Sequence, residues 1–82
     1  MRIRVRLGAG LNRFAEAPLL SIDLAEGSSV GDLLALLGTE QPSLEPALPS
    51  VLPVVAGTHV ERDQQLHAGD EVALLIPVAG GA

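Results

Sequence analysis

With 82 residues, 48% of them hydrophobic, and a net charge of −5, the chain makes one small domain that buries about 60–65% of its unfolded surface. It has no cysteine and one aromatic residue, Phe14, which excludes disulfides, thiolate chemistry and an aromatic-lined pocket for a planar cofactor. The acid excess argues against nucleic-acid binding, where phosphate contacts dominate affinity.

The elements follow in chain order. Residues 2–7 alternate arginine with Ile3, Val5 and Leu7, which predicts a strand with one wet face. Gly8-Ala9-Gly10 breaks the pattern, and a loop with Leu11, Phe14 and Ala15 follows. Leu20, Ile22 and Leu24 alternate with Ser21 and Asp23 as a second strand, completing a hairpin with a long loop. Ser28 or Ser29 caps a helix with Asp32 in its first turn and Val30, Leu33, Leu34 and Leu37 on one face. Gly38 reads as its C-cap. Pro42, Pro46, Pro49 and Pro53 then predict an irregular surface connection. Val54-Val55-Ala56 and Thr58-His59-Val60 flank Gly57 as strand, turn and strand. Leu66 docks a loop to the core, and Ala68-Gly69-Asp70 turns into a last strand over 71–77, closed by Pro77. Its run Val72-Ala73-Leu74-Leu75-Ile76 is continuously apolar and predicts burial on both faces. The whole reads as an α+β fold: a mixed sheet of the β-grasp kind packed against one main helix. Residues 1–82 form a single domain with a flexible tail over 78–82.

The tail, Pro77-Val78-Ala79-Gly80-Gly81-Ala82, follows that strand directly. Two glycines give a thin tether able to thread a narrow slot in a partner. Together with Val30-Gly31-Asp32-Leu33-Leu34 and Leu66-His67-Ala68-Gly69-Asp70-Glu71-Val72, it resembles the MoaD/ThiS family of ubiquitin-like sulfur carriers. The similar member type is the small subunit of molybdopterin synthase. The resemblance spans almost the whole chain and is weakest over 41–53.

The resemblance implies a carrier and not an enzyme. An ATP-dependent adenylating enzyme of the MoeB/ThiF type would activate the carboxylate of Gly81. A sulfur donor would convert it to a thiocarboxylate, and a partner such as the large molybdopterin synthase subunit would use the sulfur. Pro77, Val78, Ala79 and Gly80 would be the segment held in the partner. Adenylation supplies the leaving group a carboxylate lacks, and glycine hinders attack at the carbonyl least. Tethering raises the sulfur's effective concentration at its destination. Ala82 departs from the family pattern, which ends at the second glycine. Some members resemble this chain in carrying such an extension and look to be matured by a JAMM-type peptidase, which implies Ala82 as a cleavage residue. Ala56 also departs, standing where Val-Asn-Gly is common, at an expected small cost to the turn.

Other chemistry is poorly supported. His59 and His67, with Glu61, Asp63 and Asp70 nearby, lack the spacing of metal ligands, so neither a metal nor a cofactor is expected. Asp32, Asp70 and Glu71 read as helix start, turn and strand edge, and Ser28-Ser29 has no histidine at a telling spacing. The absence of lysine fits a genomic preference for arginine; it also leaves an activated carboxylate without an ε-amine of its own chain to attack. The −5 charge serves either steering towards locally basic partners or plain solubility. Leu44, Leu48, Val51 and Leu52 are either a docking patch or loop packing. The N-terminus alternates where a signal peptide would be apolar, no apolar run is long enough to span a bilayer, and the expected compartment is the cytoplasm. Two function classes stay open. One is a sulfur carrier, for molybdopterin or for another thio-metabolite, cysteine or tRNA thiolation pathway, or as a ubiquitin-like protein modifier. The other is a non-covalent β-grasp interaction module.

Overall fold

The computed structural model describes residues 1–8, 11 and 19–76. Strands β1 (Arg2–Leu7) and β2 (Leu19–Asp23) pair antiparallel, with Ile3 opposite Ile22 and Arg6 opposite Leu19. Helix α1 (Val30–Glu40) and a 3-10 segment (Pro42–Ser50) follow, then β3 (Leu52–Val55), β4 (Thr58–His59) and β5 (Glu71–Leu75). The strand order is β2-β1-β5-β3-β4, with β5 parallel to β1 and antiparallel to β3. This is the mixed sheet and single main helix of a β-grasp fold.

Period-two alternation decides the layers. Ile3, Val5, Leu7, Ile22, Val72 and Leu74 point to the covered face, where they bury against Val30, Leu33, Leu34 and Leu37 of α1. Each such side chain removed from water contributes roughly 1.5–3 kcal/mol. The helix starts where expected. The Asp32 N–H donates to Ser29 Oγ at 3.2 Å, and the Ser29 N–H donates to Asp32 Oδ2 at 2.9 Å. This reciprocal capping box satisfies two amides that would otherwise lack partners. It is worth about 1 kcal/mol.

Several expectations need correcting. Gly38 is not the C-cap: α1 continues to Glu40, and Gln41 caps it through a bond from its N–H to Leu37 O. A Cβ at Gly38 would stand 3.3 Å from Leu48 Cδ1, so glycine there serves close packing of the 3-10 segment on the helix. That segment is itself regular, because prolines fit the tight turns of a 3-10 helix where they would break a longer α-helix. It buries Leu44 and Leu48, and Val51 follows them into the core. Pro53 lies within β3, opposite Leu74. Its carbonyl accepts from Val60 N–H at 3.0 Å, so its nitrogen also faces away from β5 and no ladder bond to β5 is lost.

The last strand ends at Leu75, and it is buried on one face only. Val72 and Leu74 are inside, Glu71 and Ala73 are half-buried, and Leu75 is exposed. An apolar run does not reveal whether a second layer exists. Here a single helical layer covers one side of the sheet.

The β3–β4 turn places Ala56 at φ 51° and Gly57 at φ 79°. Two positive φ values in a two-residue hairpin loop are those of a type I′ turn, which asparagine or glycine favours at the first position. Alanine there costs about 1 kcal/mol, more than the sequence implied.

Candidate functional site

The uncovered face of the sheet carries the candidate site. Register and alternation put Arg2, Arg4 and Arg6 of β1 on it, with Leu19, Ser21 and Asp23 of β2, Glu71, Ala73 and Leu75 of β5, and Leu52 and Val54 of β3. Strand direction then sorts these residues along the sheet. β1 and β5 run parallel and finish at one end; β2 and β3, antiparallel to them, begin at that end. Leu52 and Leu75 therefore meet at the end where the chain leaves β5, and Leu19 lies toward the same end but across β1 from them. Leu19, Leu52 and Leu75 are the large hydrophobic side chains exposed among the described residues, at 40%, 38% and 42%. Leu52 and Leu75 are direct cross-strand partners, and Ala73 and Val54 extend the patch inward.

The rest of the face is ionic. Arg6 Nε–H donates to Glu71 Oε2 at 3.0 Å, Arg4 Nη2 lies 3.7 Å from Glu71 Oε1, and Arg2 Nε lies 3.1 Å from Asp23 Oδ1. The hydrogen bond from Arg6 holds the Glu71 carboxyl below its ordinary value and raises the Arg6 guanidinium above its own. Glu71 is thus no bare strand edge; it ties β5 to β1 across the parallel pair. Three arginines stand against two carboxylates here, although the chain carries −5. The acid excess lies elsewhere on the molecule, so steering by it does not favour this face.

At the sheet end the backbone of β5 is held closely. Gly8 N–H donates to Leu74 O at 2.9 Å, and Gly8 O accepts from the N–H of the buried Leu11 at 3.0 Å. Ile76, half-buried against the core, is the last described residue. The residues expected to do the chemistry or enter the partner, Pro77, Val78, Ala79, Gly80 and Gly81, and the expected cleavage residue Ala82, lie outside the described residues. Of the proposed apolar loop patch, Leu44, Leu48 and Val51 are core and Leu52 alone is exposed. Leu19 and Leu75 were missed, although apolar residues at solvent-facing positions of an alternating strand were the available signal.

The remaining candidates keep structural work. Asp70 Oδ2 accepts from the His67 N–H at 2.8 Å within the turn before β5, and Asp32 is spent on the capping box. Among the described residues no group of three histidines or acids converges to hold a metal ion. No described helix is long and apolar enough to cross a membrane. A hollow of about 340 Å³ floored by Leu34, Gly38 and Leu48 lies between α1 and the 3-10 segment, in the helix layer and not on the open face.

The ThiS family model matches residues 5–81. The chain belongs to that family. As a ThiS-family protein it is a ubiquitin-like, β-grasp carrier of the sulfur-carrier type and not a catalytic enzyme. SAMP1 of Haloferax volcanii is similar over 99% of this chain and 100% of its own, at 27% identity and TM-score 0.89. A protein described as a putative molybdopterin converting factor, subunit 1, from Pyrococcus furiosus shares 25% identity over 94% of this chain and 98% of its own, with TM-score 0.84. The same fold recurs in the complex of subunits 1 and 2 of the molybdopterin-converting factor from Helicobacter pylori, at 23% identity, TM-score 0.73, and coverage of 99% and 100%. None of the curated proteins matches the sequence.

Proposed function

We propose that this ThiS-family chain carries sulfur as a thiocarboxylate on Gly81, formed after removal of Ala82, and delivers it in molybdopterin synthesis. The family match carries this reading, because it runs through the diglycine and stops at residue 81. Residues 1–82 act as one β-grasp domain with 78–82 as its free tail. A Gly81 carboxylate oxygen attacks the α-phosphorus of ATP on an adenylating enzyme of the MoeB/ThiF type, and pyrophosphate leaves. A donor's persulfide sulfur then attacks the carbonyl carbon and AMP leaves; a thiol reduces the resulting acyl disulfide, breaking its S–S bond and leaving the thiocarboxylate on Gly81. The open face supports docking: Leu52 and Leu75 lie beside the root of the tail, where a partner that holds Pro77, Val78, Ala79 and Gly80 would also cover them. The helix layer keeps the fold intact while this side is engaged. A JAMM-type peptidase would remove Ala82 beforehand, and the cytoplasm is the compartment of both steps. The similarity to the Pyrococcus and Helicobacter converting-factor subunits favours the large molybdopterin synthase subunit as sulfur acceptor.

A second reading has its own support. The archaeal relative is named a small archaeal modifier protein, which favours a protein modifier joined through the same carboxylate to an acceptor amine. Adenylation is common to both readings and separates them from a plain interaction module. A chain ending at Gly81 should release pyrophosphate with the host adenylating enzyme and ATP, and Gly81→Leu should not. No release above background from either chain would leave the interaction module. Incubation with the large synthase subunit then distinguishes sulfur transfer from isopeptide formation on target lysines.

A further inference from the structure

We infer that Gly8 is a positioning residue: its bare backbone seats the Leu75 side chain and fixes the root of the segment that follows β5. This rests on the proposed acyl chemistry at Gly81, but the seat itself is a matter of geometry. A Cβ at Gly8 would stand 2.7 Å from Leu75 Cδ2 and 3.0 Å from Leu74 O. The first distance is closer than carbon atoms tolerate. The second presses on the carbonyl that already accepts the Gly8 N–H at 2.9 Å. Only the bare glycine lets Leu75 keep this position against the backbone.

Three features converge on this contact. Gly8 follows β1 directly, and its carbonyl accepts from Leu11 N–H, whose side chain is fully buried. The loop after β1 is thereby tied to the core at the same residue that holds β5. Leu75, lying over Gly8, is one of three exposed leucines on the open face and the cross-strand partner of another, Leu52. Only Ile76 separates it from the tail. A methyl group at position 8 has an inexpensive escape, because Leu75 can swing away on a flexible side chain. The domain then survives while the surface beside the tail changes shape. Gly8 touches no reacting atom and acts through Leu75.

The test has two arms. In the first, nuclear Overhauser contacts are measured between the Leu75 δ-methyls and the Gly8 α-protons in the intact chain. They should be present, and in Gly8→Ala the Leu75 methyl shifts should move while the core methyls of Leu33 and Val72 stay. Unmoved Leu75 methyls would overturn the seat whatever the protein's function. In the second, pyrophosphate release with the host adenylating enzyme is followed at varied carrier concentration, each variant ending at Gly81. Gly8→Ala should raise KM about tenfold, equivalent to about 1.4 kcal/mol, with kcat within about twofold, since the carboxylate is unchanged. Leu75→Ala, which poses no steric conflict, should raise KM similarly, and adding Gly8→Ala to it should cost nothing further. Full additivity of the two changes, or an unaltered KM in Leu75→Ala, would overturn the positioning role. Absence of any release from the unmodified chain would instead count against the proposed function and leave the first arm standing.

Discussion

The two faces of one sheet are built to different rules. On the covered face, Ile3, Val5, Val72 and Leu74 are buried in the same core as α1. On the open face, the same strands present paired charges and three leucines left partly in water. If the open face serves docking as proposed, the two sides of β5 divide the work, the covered side holding most of the buried apolar contacts and the open side the exposed leucines.

Substitutions on the two sides should therefore read out differently. The largest effect is expected at Gly81, where leucine should abolish acyl transfer while stability stays within about 0.5 kcal/mol of the parent. A loss of folding in that variant would tie the tail to the core and break the separation. Next, Leu33→Ala on the covered side should lower unfolding free energy by about 3 kcal/mol in a urea titration. It should leave partner affinity unchanged at temperatures where the domain is folded. Leu75→Ala inverts this pattern, with less than about 1 kcal/mol of stability lost but about 1–2 kcal/mol of partner affinity. Equal stability losses for Leu33→Ala and Leu75→Ala would mean that the open face is not spared for binding.

Two smaller effects sharpen the picture of the open side and its rim. Ala56→Gly, or Ala56→Asn, should stabilise the chain by about 0.5–1 kcal/mol by relieving the left-handed alanine. Thermal melting would detect the gain. Glu71, held below its ordinary value of 4.5 by the Arg6 hydrogen bond, sets a pH dependence with a defined sign. Because its folded-state pKa is depressed, its contribution is complete above 4.5 and is lost as pH falls through the folded value. The stability gap between the parent and Glu71→Gln should therefore be constant at neutral pH and shrink under acid. A gap that widens in acid would contradict the ion pair.

Much of this organisation was legible in the residues. The alternation of Arg2 to Leu7 gave both the strand and its wet face, and Ser28-Ser29 with Asp32 marked the helix start to within one residue, Ser29 being the cap. The diglycine ending led to the family that the match over 5–81 bears out. What failed depended on partners distant in sequence. The composition of Val72 to Ile76 is the same whether a strand has one neighbouring layer or two, so Leu75 was read as core. Gly38 looked like a C-cap because a glycine spared for close packing and one spared for a positive φ are the same letter. Prolines at positions 42, 46 and 49 correctly excluded an α-helix but hid a 3-10 segment that buries Leu44 and Leu48. Gly8 looked like a strand breaker, and its need for space became visible only with Leu75 beside it.

The central claim is that Gly81 becomes the bearer of sulfur. The most direct test is the intact mass of the protein recovered from its own cells under conditions that preserve thioacids. Loss of one alanine residue, with one oxygen replaced by sulfur, is the predicted result. A chain that keeps Ala82 and oxygen throughout, and that resists adenylation in host extract, would contradict it.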